Sequence, residues 1–283
     1  MDTFEKVQKY YGEVLKTKAD LQTTACCTAE AMPSHMLQLL KNIDEEIQQK
    51  FYGCGAPFPT SLKNSTVLDL GCGTGRDVYM LSQLVGEQGR VIGLDMTDEQ
   101  LSVAEKHKKN QMNKFGYTQT NVEFKKGYIE DLEAAGIANE SVDVIVSNCV
   151  INLSPQKERV FKEAFRVLKP GGEMYFSDVF CDRRLPENCK EDQVLLGECL
   201  GGAMYIEDFR RLLFDVGCRD FRQMNASEIQ ITNPEIAQKV QGARFFSITI
   251  RAFKLPLEDR CEDYGQIAFY NGGIEGCPIY FLI

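Results

Sequence analysis

The stretch STVLDLGCGTGRD, residues 65–77, constrains this chain more than any other part of it. VLDL reads as a buried strand, and three glycines at alternate positions, Gly71, Gly73 and Gly75, follow at once. Glycine adopts backbone angles that other residues avoid and carries no side chain. Such a run turns tightly and lets the main chain approach a bound ligand. RDVYMLSQLVGEQG then reads as a helix ended by glycine. The dinucleotide fingerprint G-x-G-x-x-G is not met, because Arg76 stands where its third small residue belongs. That absence, with the lack of a catalytic histidine, counts against a dehydrogenase.

Strand and helix patterns go on alternating. RVIGLDM is a second strand, and TDEQLSVAEKHKKNQMNKFG is a helix with Thr97 as its N-cap. NVEFKKGYIEDL is a third strand with its exit loop, and SVDVIVSNCVINL is a fourth. PQKERVFKEAFRVLKPGG is a helix closed by a Pro-Gly-Gly turn, and EMYFSDVF is a fifth strand. MYIEDFRRLLFDVG reads as a further helix, and CRDFRQM and RFFSITIRAFKL read as two closing strands. The pattern predicts an α/β fold with a doubly wound, mostly parallel, seven-stranded sheet. Four regions are expected: N-terminal helices and mobile cysteine loops over 1–60, a cofactor-binding core over 61–180, a substrate segment with the closing strands over 181–255, and a C-terminal segment over 256–283.

Acidic residues recur at the predicted strand ends. Asp69 precedes the glycine loop. Asp95, with Met96 beside it, ends the second strand 24 residues after Gly71, where a carboxylate can accept both ribose hydroxyls. Ile129 and Glu130 follow the third strand, placed to flank an adenine. Open sheets of this kind bind ligands at this carboxyl edge. With VLKPGGEMYFSD further on, the set resembles the class I S-adenosylmethionine-dependent methyltransferases over roughly residues 60–255. The resemblance implies a Rossmann-like sheet and S-adenosylmethionine as cofactor.

Composition narrows the partners. The net charge of −9, from 32 basic and 41 acidic side chains, argues against nucleic acid or an anionic membrane. No 18-residue apolar run is present, and the charged N-terminus lacks the apolar core of a signal peptide. A cytoplasmic monomer is expected. Eleven cysteines in a reducing compartment read as free thiols, metal ligands or catalytic groups. With two histidines, His35 and His107, and no C-x-x-C, a structural zinc site is not expected. Both histidines are read as solvent-facing. Cys72, Cys181, Cys189, Cys218, Cys261 and Cys277 are read as small packing residues.

One thiol stands apart. In VSNCVINLSP, Asn148 and Cys149 close the fourth strand, where methyltransferases of this class face the reactive methyl. A thiol there either accepts the methyl itself or holds an acceptor that prefers thiolates. Trivalent arsenic is such an acceptor, since soft sulfur ligands select soft centres and arsenic keeps a lone pair opposite them. YYGEVLKTKADLQTTACC, YGCG, SNCVINLSP, LLGECLGGAMY and FYNGGIEG then closely resemble the arsenite S-adenosylmethionine methyltransferases, to about Gly276. That family's usual longer C-terminal region is largely absent.

This second resemblance implies methyl transfer from S-adenosylmethionine to arsenite or its thiol adducts, as arsenic detoxification, with a thiol reductant (glutathione or thioredoxin) as co-substrate. It implies Cys149 and Cys199 as the core arsenic pair, Cys54 as third ligand or redox partner, and Cys26 as redox thiol, with Cys27 its neighbour. Tyr52 would cover the cofactor. A methyltransferase of a small organic acceptor, and a thiol-rich arsenic-sequestering protein, are the competing readings.

Overall fold

The computed structural model describes residues 34–51 and 57–258 except Glu198, with Met32, Gly53, Phe269 and Asn271. Strands β1 (Thr66–Leu70), β2 (Arg90–Asp95), β3 (Val122–Lys126), β4 (Val142–Asn148) and β5 (Leu168–Cys181) are parallel. The two later strands β7 (Phe221–Ile229) and β8 (Phe245–Phe253) close the sheet antiparallel. The order is β3-β2-β1-β4-β5-β8-β7, seven strands on one path. A two-residue strand β6 (Met204–Tyr205), expected as the start of a helix, pairs with the end of β5.

The central strands read as continuous apolar runs because both faces are covered. Leu68 and Leu70 of β1, with Ile92 and Leu94 of β2, pack into one core, while Val67 and Val91 enter a second core on the opposite face. The first core is closed by α5 (Lys157–Val167) and α8 (Ile206–Asp215). Phe209 of α8 lies there with ring centroids 5.2 Å from both Phe180 and Phe221. The second core is closed by α3 (Arg76–Val85), α4 (Asp98–Phe115) and the N-terminal pair α1 (Ser34–Lys41) and α2 (Glu45–Gln49). A third, smaller core gathers Cys149, Cys181, Cys189, Cys199 and Leu200 beneath the segment that holds α6 (Glu187–Glu191) and α7 (Gln193–Gly197).

Three local expectations change. Pro170-Gly171-Gly172 does not end in a loop: it forms the irregularity within β5 between the Val142–Leu168 and Val144–Glu173 pairings. Thr97 is the residue before α4 but makes no side-chain cap, because its hydroxyl and its N–H both turn to Asp95. His107 is not solvent-facing. Its ring lies 2.8 Å from Glu46 and 3.4 Å from Asp44, where it helps Lys106 and Lys114 tie the α1–α2 pair to α4. His35 is exposed. Among the described residues no helix is long and apolar enough to cross a membrane.

Candidate active site

The carboxyl ends of β1, β2, β3 and β4 open into one cleft. It holds about 1040 Å³ of space free of protein atoms, part of it open to solvent, enough for a nucleoside-sized ligand. Asp69, Gly71, Gly73, Asp95, Met96, Ile129, Glu130, Asn148 and Cys149 line it. All but Cys149, read as an arsenic ligand, are cofactor candidates read from the sequence, brought together from four strand ends. Gly75 does not reach the cleft. It precedes α3 at φ 84°, and a Cβ there would lie 2.9 Å from the Phe124 ring, so this glycine serves helix packing. Gly73 is the open one: at φ 52°, a Cβ would meet only the Gln100 side chain, at 3.8 Å.

The cleft is electrostatically uneven. Asp69 is 3% exposed, and its Oδ2 has no hydrogen-bond partner. Burial first, then the nearby carboxylates of Asp77 and Asp95, push its pKa well above the usual range. Burial also raises Asp95, but its carboxylate accepts N–H bonds from Gly73 and Thr97, both at 2.9 Å, which oppose the rise. Asp77 accepts from Arg76 Nε at 2.7 Å and from Asn148 Nδ2 at 3.0 Å. The Arg76 guanidinium in turn stacks 3.1 Å from the centroid of the Phe51 ring. Asp77 was not singled out from the sequence. The signal is its place directly after Arg76, a residue that the sequence marks only as a break in the dinucleotide pattern.

An unpartnered buried carboxylate, an open glycine cradle and a carboxylate at the end of β2 fit a ligand with a cationic end and a ribose. S-adenosylmethionine has both. Asp69 and Asn148 would face the methionine end, Asp95 the ribose, and Met96, Ile129 and Glu130 the base.

Of the two candidate arsenic thiols, Cys149 lines this cleft and Cys199 is buried behind it against the Cys149 carbonyl. Cys149 follows β4 on the cleft wall, 4% exposed, with φ 57° and its N–H donated to the Ser177 carbonyl at 2.8 Å. Cys199 has φ 60° and is fully buried, and its Sγ–H donates to the Cys149 carbonyl at 3.4 Å. A side-chain-bearing residue in the left-handed region costs of order 1 kcal/mol or more and persists where the surroundings enforce it. Here both do so in one place. Cys149 is disulfide-bonded, and the other described cysteines are free. Cys26, Cys27, Cys54, Cys261, Cys277 and Tyr52 also lie outside them. Cys72, Cys181, Cys189 and Cys218 are buried free thiols, and burial raises the pKa of each. Such thiols are poor nucleophiles.

The sheet order and the cleft define a class I S-adenosylmethionine-dependent methyltransferase, and the family described as a methyltransferase domain matches residues 61–223. The chain is 51% identical over 280 residues to an arsenite methyltransferase of Aquipseudomonas alcaligenes, covering 99% of this chain and 80% of that one. It is 49% identical over 274 residues to the human arsenite methyltransferase, covering 95% and 72%. Its fold matches the crystal structure of an arsenic(III) S-adenosylmethionine methyltransferase from Chlamydomonas reinhardtii at TM-score 0.79 and 51% identity, covering 83% of this chain and 79% of that one. The chain belongs to the arsenite methyltransferase family.

Proposed function

We propose that this protein methylates trivalent arsenic held between the thiolates of Cys149 and Cys199, with Cys54 as third sulfur. The observation that carries the reading is the junction of the two cysteines: Cys199 Sγ rests on the Cys149 carbonyl, and Cys149 is itself on the cofactor cleft wall. With both thiols reduced, the two soft sulfurs would form a bidentate site beside the place where a methyl donor fits.

When bound, S-adenosylmethionine supplies a methyl group on a sulfonium sulfur, which an arsenic lone pair can displace. The chain's own work is alignment. Cys149 and Cys199 lose their protons as arsenite or its thiol adduct exchanges onto them. Their enforced backbone fixes the direction of the lone pair, and no general base is needed. The two electrons that arsenic gives up return from two thiols, Cys26 and Cys54. The Cys26 thiol, losing its proton, attacks the arsenic-bound Cys54 sulfur; the S–S bond forms as the As–S bond breaks with its electron pair left on arsenic, and glutathione or thioredoxin reopens the disulfide. A monomer in a reducing cytoplasm suits this chemistry.

The test is Cys199→Ser, assayed with S-adenosylmethionine, arsenite and a thiol reductant, with arsenic species separated by chromatography and mass detection. Methylated arsenic should vanish while S-adenosylmethionine still binds. Normal turnover in that variant would remove Cys199 from the site.

A further inference from the structure

We propose that Lys157 is a positioning residue for the arsenic thiols: its ammonium, bonded to the carbonyls of Asn152 and Ser154, fixes the turn on which the Cys199 loop rests. This rests on the assignment of Cys149 and Cys199 as the arsenic pair.

Lys157 opens helix α5, where the helix dipole disfavours a cation. Its side chain does not extend to solvent. It bends back across the preceding turn, with Nζ 3.1 Å from the Asn152 carbonyl oxygen and 2.8 Å from that of Ser154. These are among the carbonyls that a short 3₁₀ turn, Ile151–Leu153, leaves without a helical partner. That turn starts two residues after Cys149.

Asn152 carries the contact onward. Its N–H donates to Asp178 Oδ2 at 3.1 Å, and its Nδ2 donates to the Val179 carbonyl. The same carbonyl oxygen that takes the Lys157 ammonium meets the Cys199 loop. A Cβ placed on Gly202 would lie 1.8 Å from it. On the loop's other side a Cβ on Gly201 would lie 2.7 Å from the Cys189 carbonyl. The loop is thus wedged between two backbone segments, and one of them is held by Lys157. Burial lowers the lysine pKa to about 8, with the Asp178 and Cys199 charges among those opposing the drop. The residue is half-buried, with its ammonium turned onto the two carbonyls.

A bidentate arsenic site depends on the spacing of its two sulfurs, whereas the cofactor candidates Asp69, Asp95, Met96, Ile129 and Glu130 stand at β1, β2 and β3, away from the Leu153–Ser154 part of the cleft wall. Removing the ammonium should therefore loosen arsenite binding selectively. The experiment compares Lys157→Met, Lys157→Gln and Lys157→Arg in the full chain, measuring arsenite KM and kcat, S-adenosylmethionine affinity by calorimetry, and thermal melting.

Expected for Met is an arsenite KM raised about tenfold or more, with cofactor affinity within about twofold; a bidentate cation-to-carbonyl rescue by Arg should recover most of the loss. An unchanged arsenite KM in folded Lys157→Met overturns the proposal. So does a parallel fall in arsenite and cofactor affinity, which would mark general support of the fold. If Met does not fold, the same criteria apply to Gln; failure of both to fold would assign Lys157 to stability and also overturn it. Cys199→Ser run alongside separates the two ideas. If it is inactive while Lys157→Met behaves as wild type, only the role of Lys157 falls. If it turns over normally, the thiol assignment itself falls.

Discussion

Gly202→Ala is the sharpest perturbation the structure offers. The added Cβ would sit 1.8 Å from the Asn152 carbonyl oxygen, against the 3.0 Å below which real Cβ contacts essentially never fall. The obstacle is backbone, and it is held by Lys157, Asp178 and Val179. The loop must therefore move by more than 1 Å. Overpacking of this kind costs about 1–3 kcal/mol, which in a chain of this size lowers Tm by about 2–4 °C per kcal/mol. The larger effect should be on chemistry. A misplacement of about 1 Å in a reacting group costs about 100-fold in rate, and Cys199 is three residues before the wedge. The assay is kcat/KM for arsenite, with cofactor affinity and thermal melting measured on the same sample. Gly171→Ala is the control: unlike Gly202 it lies at positive φ, 83°, but it has open space around it and no contact with the thiols. It should lose some stability and keep arsenite methylation within about twofold. Gly202→Ala with a wild-type melting temperature and wild-type kcat/KM would refute the wedge.

Two further outcomes follow from the carboxylates. Asp95→Ala removes the acceptor of the Gly73 and Thr97 N–H groups. Calorimetry should show S-adenosylmethionine affinity reduced about 10- to 100-fold, the worth of hydrogen bonds to a charged group; undiminished affinity would detach Asp95 from the cofactor. Burial raises the Asp178 pKa from 3.8 to about 6. The folded state then holds this proton more tightly than the unfolded chain, so its contribution to stability falls as pH rises from about 4 to 6. Asp178→Asn should flatten that slope by about 3 kcal/mol in urea titrations across this range, and equal slopes in both proteins would contradict the buried, protonated carboxyl.

The division between sequence and tertiary structure follows the range of the interactions. Periodicity and turn chemistry are local, so β1, the glycine loop and the helices after it can be read from adjacent residues. Asp95 was also legible, because strand length and a single crossover helix place it at the sheet edge. The alternation of Leu68 and Leu70 against Val67 was not enough to say which face each takes, since both faces are apolar. What folding alone decided is the set of contacts between distant segments. Asp77 reached Asn148 across 71 positions, and Cys199 reached the carbonyl of Cys149 across 50. Thr97 lost its cap to Asp95, and His107 gained Glu46 across 61 positions. The turn at Ile151–Leu153 has no pattern that announces Lys157 as its clamp. That role exists because β4, β5 and the Cys199 loop converge there, and an unsatisfied carbonyl in a buried place requires a donor wherever the chain can supply one.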